Sequence, residues 1–263
     1  MRFAIIDAHA HCGAQNIDPG QTIEDYYGAV QGSDILCVVM FPPVMGIYDR
    51  YDPDFEDTPE WQMRRQEANN YMLTLEGWGL IVFPFFFIWN DFAVAQLTDR
   101  HRGIKWHRHE GEPHYDYQDP KCKAALDEIR RRNMPVVFEE EWHHTLHFIN
   151  ELAPDLKVII PHCGLLNGGF EKFCRAGIWE RPNIFTDTAL APPQAITEYV
   201  RNYGHTRIMF GSNFPFGDPV QECQKILKLE LSEAEQEALL MGNVQALLAN
   251  ANRPFKNAPL PKV

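Results

Sequence analysis

The chain holds no CxxC pair, no apolar run long enough to cross a bilayer, no glycine- and serine-rich linker and no low-complexity tract. Each lack removes a class of protein. The six cysteines (Cys12, Cys37, Cys122, Cys163, Cys174 and Cys223) are scattered along 263 residues. That is not the dense spacing of a disulfide framework, and reduced thiols in a cytoplasmic protein are the expectation. The longest apolar run, GLIVFPFFFIW at 79–89, is too short to span a membrane as a helix and contains Pro84, so no membrane partner is expected. The N-terminus, MRFAIIDAHAHCG, lacks the apolar core and small-residue cleavage site of a signal peptide. Positive charge is also short: 24 basic residues face 36 acidic ones, a net charge of -12. Such a surface repels phosphate backbones, which argues against nucleic acid. It leaves a small anionic substrate open, because a local cationic pocket can oppose the global sign.

What is present is an alternation. Apolar, strand-like runs fall at 3–9, 34–40, 80–86, 103–107, 135–139, 157–162, 183–187 and 207–212. Segments with helical period and capping signals lie between most of them. In DPKCKAALDEIRRRNMP (119–135), Asp119 can cap, Pro120 suits the first helical position, and Asn133 with Pro135 ends the helix. The stretch 58–79 reads as a helix capped by Thr58 and stopped by Gly77 or Gly79. The stretch 231–250 reads as one long helix or a pair, opened by a capping box of Ser232 and Glu235. Eight strands alternating with helices predict parallel βα units, and the length suits a single α/β domain over 1–263 folded as a (β/α)8 TIM-type barrel. An open doubly wound sheet competes, and Pro84 is awkward inside a central strand.

In such a barrel the functional side chains gather at the C-terminal ends of the strands. The first run ends Asp7-Ala8-His9-Ala10-His11. Strand geometry puts His9 and His11 on one face, where two imidazoles suit Zn2+, Mn2+ or Fe2+; a polar rim of satisfied histidines is the alternative. His162 at the sixth run is a third candidate ligand, while its neighbour Cys163 reads as a small core residue. Lys105 and His107 share a face of the fourth run. A lysine aimed into a barrel mouth binds an anion, serves as a carbamylated ligand, or pairs with a nearby glutamate. Asp187 could orient a ligand histidine or support the strand end. Arg50, in a long segment after the second run with Tyr48 and Tyr51, could clamp a carboxylate or belong to an ordinary surface loop. Asn213 lies just past the eighth run; its amide cannot act as a general base.

The motifs DAHAH (7–11), GIKWH (103–107), IPHCG (160–164), FTDTA (185–189) and FGSNFP (210–215), with MGNVQALL (241–248), occur in order over nearly the whole chain. Together they resemble the amidohydrolase superfamily, in the amidohydrolase-related branch that includes aminocarboxymuconate semialdehyde decarboxylase. The resemblance implies a distorted (β/α)8 barrel with a mononuclear divalent metal, usually zinc, that activates water. Two positions depart from the pattern. Where the family's fifth strand ends in a metal-binding histidine, this chain has Glu139, which can ligate through oxygen, giving a set of His9, His11, Glu139 and His162. His143 from just beyond the strand is the other candidate. Where the family has an eighth-strand aspartate that moves protons, this chain has Asn213.

The leading expectation is a metal-dependent hydrolase whose activated water attacks a small carboxylated metabolite, a lactone or cyclic amide. Glu139, Lys105 and Asn213 would carry the chemistry, and Lys105, His107 and Arg50 would hold the anion. Two alternatives stand beside it: a lyase of the same fold (decarboxylase or hydratase), and a barrel silenced by Asn213. A homo-oligomer is open.

Overall fold

The computed structural model describes residues 4–13, 21–52, 54–75 and 79–252. All eight apolar runs become parallel strands: β1 (Ile5–His11), β2 (Ile35–Phe41), β3 (Ile81–Phe87), β4 (Gly103–His107), β5 (Val136–Glu139), β6 (Val158–Ile160), β7 (Ile184–Asp187) and β8 (Ile208–Met209). Their spatial order is their sequence order. The helices are α1 (Ile23–Val30), α2 (Pro59–Met72), α3 (Pro120–Arg131), α4 (Trp142–His147), α5 (Phe170–Arg175), α6 (Pro193–Tyr203), α7 (Pro219–Leu227), α8 (Glu233–Glu237) and α9 (Asn243–Leu248). Only a short 3-10 turn, Val94–Gln96, joins β3 to β4, so one βα unit is abbreviated and the barrel is distorted.

Closure happens beyond β8. That strand stops after two residues, short of the predicted 207–212, because its continuation changes partner. Ala8 N–H donates to Phe210 O at 2.8 Å, His11 N–H to Phe214 O at 2.8 Å and Asn213 N–H to His9 O at 2.7 Å. These bonds join the last strand's extension to β1 and complete a (β/α)8 barrel. Gly211 makes the approach possible: a Cβ there would lie 2.9 Å from the His9 Cβ. Pro84 sits where β3 changes neighbours. Residues Ile81 to Pro84 pair with β2, and Phe85 to Phe87 pair with β4. A residue without an N–H is tolerated at that handover.

Two apolar layers result. Ile6, Ala8, Cys37, Val39, Phe85, Val137, Ile159 and Met209 fill the barrel interior, closed below by Val244, Leu247 and Leu248 of α9. Outward-facing strand residues such as Ile104, Trp106 and Phe138 pack under the helices with Leu126 and Ile129 of α3. In β1 the alternation breaks. Asp7 pairs with Val38 but Ala10 with Met40, three residues of β1 against two of β2. This bulge lets Ala8 and His9 both face inward.

The helix signals read from the sequence divide at their ends. Thr58 caps α2, Asp119 caps α3 through Lys121 N–H, and Ser232 with Glu235 forms the capping box of α8. The second helix ends at Met72, earlier than predicted; Gly77 lies outside the described residues, and Gly79 has φ of 74°. The terminal segment is helical but interrupted by a π turn at Ala238–Gly242 between α8 and α9. The six cysteines are all free. Among the described residues, no helix is long and apolar enough to cross a membrane.

Candidate active site

Three donor groups converge at the C-terminal mouth of the barrel. One atom each of His9, Glu139 and His162 lies within 4.8 Å of the others, and all three residues are buried. Their outer contacts aim them. Asp187 Oδ2 holds His9 Nδ1 at 2.8 Å, and Asp187 Oδ1 accepts the His162 backbone N–H at 2.9 Å. His162 Nδ1 donates to Ala189 O at 2.9 Å. Both imidazoles are thereby fixed through Nδ1, leaving Nε2 for the interior, which is the usual dress of a metal-ligating histidine. His9 Nε2 is fully buried and has no hydrogen-bond partner among the described residues. An orphaned lone pair in such a place costs free energy unless something binds it. Two histidine nitrogens and a carboxylate are a sound donor set for a divalent cation. The residues present fit the metal that the sequence resemblance implies.

Electrostatics suit the same end. Burial pushes His9 down to about 4, so its ring is neutral at neutral pH. Burial alone would raise the Glu139 carboxyl, but Lys105 and His107 outweigh it and hold the group well below the usual carboxylate range. Asp187 is likewise raised by burial and brought below its ordinary value by His9 and His162. Burial lowers His162, yet Glu139 and Asp187 win and raise it.

The two oxygens of Glu139 face different groups. Oε2 accepts from Lys105 Nζ at 2.8 Å and lies 3.7 Å from His162 Nε2. Oε1 meets His109 Nε2 at 2.7 Å and His107 Nε2 at 3.3 Å. His107, His109 and Glu139 thus form a second close set of donors, but it is wired as a hydrogen-bond chain. Arg50 Nη2 lies 3.2 Å from His109 Nδ1. A guanidinium only donates, so Nδ1 accepts, Nε2 carries the proton, and that proton goes to Glu139.

A cavity of about 550 Å3 opens over these groups; Glu139, His11, His107, His109, Arg50 and Asn213 are among its lining. His9, His162 and Lys105 lie beneath it. Lys105 is fully buried, with Nζ on Glu139 and 4.6 Å from the Phe41 ring. Arg50 is at the wall, paired with Glu112 Oε1. His11 Nε2 lies 3.2 Å from Asn213 Oδ1, and its ring centroid is 5.6 Å from that of His9. His143 is exposed on α4, 3.9 Å from Glu141. Cys163 is buried, with Sγ toward Asp187 O at 3.5 Å.

Several contributors were not singled out by sequence. Asp7 faces outward and ties three elements together: it accepts from Tyr26 of α1 at 3.0 Å, from Ser212 Oγ at 2.5 Å and from Ser212 N–H at 2.9 Å. Glu112 takes Tyr48 OH at 2.6 Å and the His109 N–H at 2.9 Å. A signal for His109 existed in its i+2 spacing from His107, the same spacing that marks His9 and His11.

The sequence model of the amidohydrolase family matches residues 6–249. The chain belongs to the amidohydrolase family. Solved structures resemble this amidohydrolase along almost its full length. A Pseudomonas putida protein assigned as a 2-pyrone-4,6-dicarboxylic acid hydrolase is 18% identical, with a TM-score of 0.67 over 95% of this chain and 98% of its own. The 5-carboxyvanillate decarboxylase of Sphingomonas paucimobilis is 10% identical, with a TM-score of 0.68 over 95% and 100%. A dihydroxybenzoic acid decarboxylase from Polaromonas, solved with manganese and the inhibitor 2-nitroresorcinol, is 11% identical, with a TM-score of 0.68 over 94% and 97%. At these identities the likeness establishes the fold. No curated protein matches the amidohydrolase chain.

Proposed function

We infer that the protein is a divalent-metal-dependent hydrolase of a small carboxylated metabolite, such as a lactone or cyclic amide. The observation that carries this is the split of Glu139: one oxygen belongs to the donor set with His9 and His162, and the other is turned to the His107 and His109 side, in a residue that lines the cavity. A cation held by His9, Glu139 and His162 would polarise the scissile carbonyl and acidify water. Glu139 Oε1 is the acceptor for a proton of the attacking water, held in orientation by His109 Nε2–H. This places the general base on the fifth strand and meets the objection raised by Asn213, which cannot take a proton. Lys105 keeps Glu139 ionised until then. At the wall, Arg50 has donors beyond the Nη2 used by Glu112 and His109, and these suit a substrate carboxylate.

The test is a paired assay. Chelator-stripped protein is reloaded with Zn2+, Mn2+ or Fe2+ and offered carboxylated lactones, cyclic amides and hydroxybenzoates. Metal-restored ring opening supports the reading. Release of CO2 from hydroxybenzoates without ring opening elsewhere replaces it with a decarboxylase, and no uptake of metal removes it.

A further inference from the structure

Seven large apolar side chains are exposed among the described residues, and four of them, Tyr51, Leu166, Leu190 and Phe216, line the cavity over the candidate site. Single apolar residues on a surface need no explanation, but a contiguous group beside polar ones marks a place that binds something. These four follow different strands, β2, β6, β7 and β8. The composition of one loop therefore does not gather them; the barrel does.

Two of the four are fixed in place. Leu190 has φ of 54°, in the left-handed region that a leucine rarely adopts. Its N–H donates to Glu222 Oε2 of α7 at 2.9 Å. Its Cδ2 lies 3.0 Å from where a Cβ on Gly217 would stand, so the glycine leaves room for the leucine next to Phe216. Phe216 N–H donates to Asn213 O at 2.9 Å, and the Phe216 ring meets His11 edge-on at 5.9 Å. A strained backbone thus holds a leucine that remains 39% exposed, which core packing does not account for.

The cavity is two-sided. Arg50, His107, His109 and Glu139 make a charged and polar side, whereas Leu166, Leu190 and Phe216 follow β6, β7 and β8, three consecutive strands of the barrel. Its volume of about 550 Å3 is more than a single carboxylated ring fills and lies in the range of about 300–1,000 Å3 that takes larger ligands. A protein surface seated on the apolar side would cover the way to Glu139.

We propose that the substrate is amphipathic: a carboxylated ring bearing an apolar arm of several carbons, with the carboxylate toward Arg50, the scissile carbonyl at Glu139 and the arm against Leu166, Leu190 and Phe216. The inference rests on the hydrolase reading above and narrows its substrate class.

Alkylsuccinates serve as probes, because they carry carboxylates and a graded arm but no bond to hydrolyse. Binding of succinate and of its methyl, propyl and hexyl derivatives to Zn2+-loaded protein is measured by calorimetry. Affinity is expected to rise roughly two- to fourfold per methylene over the first few carbons. Leu190→Asn combined with Phe216→Ser is expected to remove most of that gain; asparagine suits the left-handed backbone, and each series is referred to its own succinate value. Met63→Ser, at an exposed apolar residue of α2 outside the cavity lining, is expected to keep the wild-type gain. A flat wild-type series, or a gain that survives in the double variant, would overturn the proposal. A flat series together with self-association that the double variant abolishes, read by sedimentation, also overturns it and gives the patch to a second copy. None of these results touches the hydrolase reading, which stands or falls on metal-restored ring opening.

Discussion

At Glu139 two demands meet on one carboxylate. It neutralises the fully buried Lys105 through Oε2 and takes His107 and His109 on Oε1. Glu139→Gln leaves the Lys105 ammonium in the barrel without its counter-charge. Removing one partner of a buried pair costs about 3–5 kcal/mol, so the urea midpoint of the metal-free variant should fall well below that of the wild type, and metal uptake should be lost. Asp187 acts one step back, holding the His9 ring and the His162 backbone. Asp187→Asn is expected to weaken metal affinity roughly 10- to 100-fold, read by chelator competition, with the far-ultraviolet circular dichroism unchanged. Much at this scale was legible in the sequence: Lys105 and Glu139 face the mouth by strand parity, and His9 and His162 join them, His9 through the bulge in β1 and His162 from the turn after β6. What was not legible came from chain that folds back. The segment after β4 returns Glu112 to the site, where it takes Tyr48 OH and the His109 N–H, and no strand period describes such a return.

Among the elements, closure of the barrel depends on a glycine. The continuation of β8 runs so close to β1 that a methyl group at position 211 would contact the His9 Cβ at 2.9 Å. Gly211→Ala should lower stability by about 1–3 kcal/mol and reduce metal affinity, since the displaced atom belongs to a donor residue; calorimetry and a Co2+ titration check the two effects together. The elements themselves were largely readable because apolar runs and caps are local signals. Thr58, Asp119 and Ser232 all cap as their residue types suggest. The exceptions were set by non-local pairing. Pro84 reads as a poor central-strand residue until the partner exchange at that point is seen, and β8 is cut short because its next residues bond to β1 and to Leu239 O.

For the molecule as a whole, buried imidazoles link stability to pH. Burial pushes His9, His101 and His107 down to about 4 each, from an ordinary value near 6.5. Unfolded histidines bind protons first as pH falls, so this stability is full above about 6.5 and is lost on the way down to about 4. Asp7 opposes the trend: burial raises it to about 6, so its contribution is lost as pH rises from about 4 to 6. Burial also lowers His11, while His162 and His144 are raised and act with Asp7; the larger set of lowered histidines leaves the first effect dominant. The melting temperature of chelator-treated protein should therefore be lower at pH 5 than at pH 7.5. Because His101 precedes β4 at the far end of the barrel, His101→Gln should flatten that slope without touching metal uptake. The overall fold was the most legible level of all, since eight alternating runs admit few topologies.

The bulge in β1 gives that strand two reading frames. Below it, even-numbered Ile6 and Ala8 face the interior; above it, odd-numbered His9 and His11 do. The floor and the mouth of the barrel are therefore out of phase along a single strand, and the extra residue is the joint between them. Loss of one residue in that short stretch would swing both histidines toward the helices while every apolar contact beneath stayed in step. Such a chain could keep its fold and lose its chemistry in a single event. The separation also runs the other way: the apolar floor can change its packing over many substitutions without turning the mouth, so in this barrel the part that folds and the part that reacts are free to diverge at different speeds.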